Sequence, residues 1–91
     1  MKTIWKFPLS SDDETSVKMP KGAKILDVQV QRGIAVLWAL VDTTAPSTRR
    51  RLMVKGTGND CGDVPYHGEH VGTYQLLGGA LVFHVFDLGE V

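Results

Sequence analysis

The chain has a single cysteine, Cys61, among its 91 residues. One thiol excludes an intrachain disulfide and a cysteine zinc cluster within one chain. Long apolar runs are missing as well. The longest, residues 34–41, falls far short of the roughly 20 residues a membrane-spanning helix needs. The opening Met1-Lys2-Thr3 leads into a strand-like segment and not into an apolar stretch with a small-residue cleavage site, so no signal peptide is expected. Basic residues are absent from the last part of the chain. Residues 56–91 hold five acids and no Lys or Arg, whereas residues 1–55 hold all ten basic residues and five acids. The formal net charge is zero and the pI is about 6.8. A duplex nucleic-acid binder of this size would show a pI above roughly 9, so neither duplex nucleic acid nor a membrane is an expected partner. The opposed halves fit charge complementarity within one domain or between subunits. They also fit an anionic ligand on the basic half.

What is present is strand signal. Residues 1–91 read as one domain, with no 3.6-residue apolar period sustained along any segment. Strands are expected at 3–8, 15–19, 24–31, 34–42, 50–55, 72–77 and 80–88. The two-residue Arg32-Gly33 turn marks a tight hairpin. Its register sets Val30 opposite Ala35, Val28 opposite Leu37 and Leu26 opposite Ala39, an apolar core face. The reverse face sets Gln31, Gln29 and Asp27 beside Ile34, Val36 and Trp38, and is expected to meet a subunit or a ligand. A second tight turn at Gly78-Gly79 pairs Tyr74 with Phe83 and Leu76 with Leu81, with Thr73 opposite His84 and Gln75 opposite Val82 on the other face. Six to seven short strands with regular turn signals indicate an all-β fold, a small antiparallel sandwich or a partly open barrel, expected to be oligomeric.

Several residues carry possible chemistry. Lys55-Gly56-Thr57-Gly58-Asn59 follows a strand, and glycines there let a ligand approach backbone N–H groups while Lys55 supplies charge. The spacing is not that of a Walker loop, and no βαβ unit follows; a plain turn is the competing reading. Arg49-Arg50-Arg51 puts two guanidinium groups on one strand face, suited to bidentate phosphate capture, or forms a solvated strand end. Trp5 is an exposed stacking candidate, and Trp38 fits a core or an interface. His84 lies between Val82 and Phe86 on its face, as a partly buried histidine able to hydrogen-bond a ligand. His67 and His70 are three apart, a spacing that shares a face reliably only on a helix. A catalytic zinc needs three aimed ligands and an open position, so both read as loop histidines and no metal is expected. Cys61 lies among Asp60, Gly62 and Asp63, without the cationic neighbours an activated thiolate needs. No nucleophile elbow occurs, and enzyme activity is not expected.

The runs Lys2-Thr3-Ile4-Trp5-Lys6-Phe7-Pro8-Leu9, Met19-Pro20-Lys21-Gly22-Ala23-Lys24-Ile25-Leu26-Asp27-Val28-Gln29-Val30-Gln31 and Leu37-Trp38-Ala39-Leu40-Val41-Asp42 belong together. With Gly56-Thr57-Gly58 and Gly78-Gly79-Ala80-Leu81-Val82-Phe83-His84-Val85-Phe86, they resemble a family of small phage and prophage proteins described only as a domain of unknown function. The likeness spans nearly the whole chain. It implies a phage accessory protein in the cytoplasm of the infected bacterial host. The expected function is a homo-oligomeric sponge, without cofactor, for a nucleotide immune signal of the cyclic or ADP-ribose type. Lys55 and the backbone of Gly56, Thr57, Gly58 and Asn59 would hold phosphate with help from Arg49 or Arg51, Trp5 would stack on the base, and His84 would hydrogen-bond it. The alternative is an inhibitor or adaptor that grips a host protein by a strand edge or by the Trp38 face.

Overall fold

The computed structural model describes residues 1–62 and 68–90. The seven strands are β1 (Lys2–Pro8), β2 (Glu14–Pro20), β3 (Lys24–Gln31), β4 (Ile34–Asp42), β5 (Ser47–Gly56), β6 (Glu69–Leu76) and β7 (Leu81–Glu90). They form a three-stranded sheet, β1-β4-β3, and a four-stranded sheet, β2-β5-β7-β6, and every pairing is antiparallel. Among the described residues no ladder joins the two sheets, so the fold is an open sandwich and not a closed barrel.

Alternation along the strands builds the core. Leu37 and Ala35 of β4 and Val28 of β3 face Leu52 and Val54 of β5, Tyr74 of β6 and Val85 of β7, with Leu9 beside them. A second cluster holds Met19, Ala23, Ala39 and Val41, and Phe7, Val17 and Ile25 pack against both. Each fully buried aliphatic side chain contributes roughly 1.5–3 kcal/mol relative to exposure.

The first hairpin turns at Arg32-Gly33, both with positive φ (52° and 78°), the backbone a two-residue primed turn requires. Val30 pairs with Ala35 and Val28 with Leu37, as the turn dictates. Leu26 does not reach Ala39. A bulge between Ile25 and Asp27 gives that place to Ile25 and turns Leu26 outward, 43% exposed. The second hairpin keeps the expected partners, Tyr74↔Phe83, Leu76↔Leu81, Thr73↔His84 and Gln75↔Val82. Its connection is longer than two residues, because a short 3-10 turn over Leu77–Gly79 stands between the end of β6 at Leu76 and the start of β7 at Leu81. β5 starts at Ser47 and not at Arg50, since Ser47, Thr48 and Arg49 pair with Pro20, Met19 and Lys18.

The sandwich is pinned on one side by close approach and within by charge. A Cβ on Gly72 of β6 would lie 2.9 Å from Val28 Cγ1 of β3, a spacing only glycine permits. The Arg50 side chain turns inward and donates to both carboxylate oxygens of Asp87 at 2.9 Å and to the Ala23 carbonyl at 2.8 Å. Burial pushes the Asp87 carboxyl up, but Arg50 and the Gly89 amide more than offset it, leaving it below the usual carboxylate range. The bond to Asp87 in turn raises Arg50 despite its own burial.

Candidate binding face

Register on the four-stranded sheet decides which polar side chains share its outer face. β5 pairs Lys55 with His84 and Met53 with Phe86 of β7, and β6 adds Thr73 opposite His84 and His70 opposite Phe86. These side chains lie in two adjacent rows across three strands.

His84 is held at both ring nitrogens. Thr57 Oγ1 lies 2.7 Å from Nε2 and Thr73 Oγ1 lies 2.9 Å from Nδ1. The Thr73 hydroxyl is also 3.4 Å from His70 Nε2. Thr57, His84, Thr73 and His70 thus form one polar chain, and hydroxyls that both donate and accept let it run in either direction. The His70 ring lies 5.4 Å from Phe86 and 6.5 Å from His84, centroid to centroid. Lys55 reaches Asp13 at 3.2 Å; its side chain is 16% exposed and that of Asp13 is 76% exposed.

The glycine segment is a tight turn. The Asn59 amide bonds the Gly56 carbonyl at 3.1 Å, Gly58 has φ 86°, and the Thr57 amide bonds the Val82 carbonyl at 3.0 Å. A positive φ at the third turn residue is the glycine position of a type II turn. Two of the amides expected to cradle phosphate are therefore engaged by carbonyls, and what the turn delivers is the Thr57 hydroxyl at His84. Both Gly56-Thr57-Gly58 and the strand through Phe83-His84-Val85-Phe86 frame this face. The chain belongs to the family described as Domain of unknown function (DUF7352), whose model matches residues 1–90. No curated protein and no solved structure matches it.

In this DUF7352 chain, Lys55, Thr57 and His84 are brought together, and Gly56, Gly58 and Asn59 form the turn beside them. Arg49 and Arg51 lie further along the outer face of β5, opposite Lys18 and Ser16, and line an open groove of about 340 Å³ with Glu14, Thr15 and Ser16. Arg51 meets Glu14 at 3.2 Å. Trp5 is not part of this face. It pairs with Ala39 at the edge of the other sheet, 42% exposed, with its ring 6.5 Å from Phe7. Sequence reasoning left out Thr73, Met53 and Phe86 as site residues and treated His70 as a loop histidine, although it pairs with Phe86. The Thr73–His84 pairing was the signal that could have found Thr73. His67 lies outside the described residues. Among the described residues, no group of three or more His, Cys, Asp and Glu is placed to hold a metal, and no helix is long and apolar enough to cross a membrane.

The outer face of the three-stranded sheet differs in kind. Ile4, Ile34 and Leu40 are exposed there, around a half-buried Trp38. Lys6 crosses above, with Nζ 5.9 Å from the Trp38 ring centroid and 2.7 Å from Gln31 Oε1.

Proposed function

We propose that the protein is a non-enzymatic phage accessory protein of the infected host's cytoplasm that self-associates and sequesters a small nucleotide immune signal of the cyclic or ADP-ribose class. The observation that carries this reading is the gathering of Lys55, Thr57, His70, Thr73 and His84 with Phe86 on one sheet face, continued along β5 by Arg51 and Arg49. A nucleotide needs these groups: hydroxyl and imidazole partners for base edge and ribose, a ring for stacking, and cations for phosphate. Lys55, beside His84, and Arg51, four residues or about 13 Å further along the strand, offer phosphate contacts at two distances from the base. Phe86 and His70 take the stacking role expected of Trp5.

Binding is favoured over turnover by the surroundings of Thr57. Its hydroxyl–imidazole pair with His84 is backed by the Thr73 hydroxyl and not by a carboxylate. The amides of Thr57 and Asn59 are bonded to carbonyls, so neither stands ready for an oxyanion.

The test is a thermal-shift screen against cyclic di- and trinucleotides, ADP-ribose derivatives and mononucleotides. A ligand at 100 times its Kd adds roughly 2.7 kcal/mol, several degrees for a domain of this size. The shift should be confined to one ligand class and lost in His84→Ala. No shift from any nucleotide rejects the reading. A second reading, a host-protein inhibitor or adaptor, is favoured by the exposed Ile4, Ile34 and Leu40 around Trp38. It requires a protein complex that Ile34→Asp abolishes and His84→Ala leaves intact.

A further inference from the structure

Four strands are sheet edges, and they fall into two pairs. β3 and β6 lie against each other where Gly72 meets Val28. β1 and β2, likewise paired with one strand each, have no such packing against one another among the described residues.

On β2, the Asp13 carbonyl accepts from the Val54 amide at 2.9 Å and the Lys21 amide donates to Pro46 at 2.7 Å. Odd-numbered residues therefore aim their backbone groups at β5. Strand alternation turns the N–H and C=O of Glu14, Ser16 and Lys18 toward the open side. The side chains of these three residues share the outer face, with Lys18 opposite Arg49 and Ser16 opposite Arg51. Like charges directly opposite each other in a sheet are destabilising. Among the described residues, neither Lys18 nor Arg49 makes an ion pair.

We infer that the β2 edge is the self-association surface, on which β2 of a second copy adds antiparallel about a twofold axis at Ser16. All three outward residues then become hydrogen-bonded pairs: Ser16 with its own copy, and Glu14 with Lys18 of the second copy in both directions. The Glu14 carboxylate, 63% exposed and 3.2 Å from Arg51, becomes the counter-charge that the Lys18–Arg49 pair lacks. The four-stranded sheets join into one of eight strands, and the cationic grooves of the two copies become neighbours.

β1 supplies the contrast. The Leu9 amide bonds the Ala35 carbonyl and the Thr43 amide bonds the Met1 carbonyl, both at 2.9 Å, so Lys2, Ile4 and Lys6 face its open side. Self-pairing about Ile4 would set Lys2 opposite Lys6 of the second copy. Charge refuses this edge to itself and accepts β2.

The inference rests on the self-association part of the proposed function and names its interface. Sedimentation equilibrium of the full chain over a dilution series tests it. The wild type should associate, and Lys18→Glu, which faces Glu14 with a like charge, should raise the dissociation constant by roughly tenfold or more. The exchanged variant Glu14→Lys/Lys18→Glu should recover association, and Ile4→Lys, which adds a further like charge at an exposed position of the β1 edge, should leave it unchanged. Ser16→Pro removes an amide that points away from β5, a position where an edge strand tolerates proline; it should fold and lose association. A wild type that is monomeric throughout overturns both the interface and the self-association reading. A wild type that associates regardless of Lys18→Glu and Ser16→Pro overturns the interface alone. Should Ser16→Pro fail to fold, the charge variants decide, since they leave the backbone unchanged.

Discussion

Arg50 and its two neighbours in the run 49–51 occupy opposite sides of β5 and obey different electrostatics. The Arg50 side chain is 13% exposed and saturates Asp87, itself 11% exposed, with Glu90 3.6 Å away. Arg51 is 49% exposed against a Glu14 that is 63% exposed, and Arg49 faces Lys18. Inside the sandwich a guanidinium is a structural part: removing it strands a largely covered carboxylate. Outside, the same group is screened by water, contributes little to the fold and is available to other ligands. One strand thus carries a structural guanidinium on one face and solvent-exposed ones on the other by alternation alone.

The contrast can be broken most forcefully at its inner side. Arg50→Ala should destabilise by about 2–3 kcal/mol, because Asp87, largely covered, is left unpaired, whereas Arg50→Met/Asp87→Leu should recover most of the loss. Urea midpoints of the three proteins check both statements. Acid sharpens the comparison at smaller scale. The folded Asp87 carboxyl titrates below its unfolded value, which is about 3.9. Its contribution is therefore complete above that pH and lost as pH falls through the folded value. Urea midpoints measured from neutral pH downward should fall more steeply below about pH 4 in the wild type than in Arg50→Met/Asp87→Leu. The outer side should respond least. Arg51→Ala should change stability by less than about 1 kcal/mol, as exposed ion pairs do. Arg49→Gln should be neutral or slightly stabilising at low salt, since it relieves Lys18. A large loss in either outer variant would dissolve the distinction.

Much of the fold was legible because two turns carry their own register. Positive φ at Arg32-Gly33 aligns Val30 with Ala35, and the pairs from Tyr74↔Phe83 to Leu76↔Leu81 follow from the glycines at 78 and 79. Bulges were not legible. A one-residue slip at Leu26 exchanges it with Ile25, and both are aliphatic, so the apolar pattern reads the same either way. The site was half legible for a related reason. Lys55, Thr57 and His84 are close because one strand, one turn and one neighbouring strand set them so. Trp5 was drawn in by its aromatic character, though strand order sends it to the other sheet. The Arg50–Asp87 pair joins residues 37 positions apart, and no local pattern announces it.

Strand order also has a kinetic side. β3–β4 and β6–β7 are local hairpins, units that close in roughly 1–10 μs. β1 and β2 come first in the chain, yet they pair with β4 and β5, so that Lys2 meets Asp42 and Glu14 meets Met53. Such long loops close late in folding. Until they do, β4 and β5 each offer a bare flank, and the first strands of a neighbouring chain fit there as well as the chain's own. Refolding at rising concentration is therefore where exchange of β1 or β2 between molecules competes with closure within one.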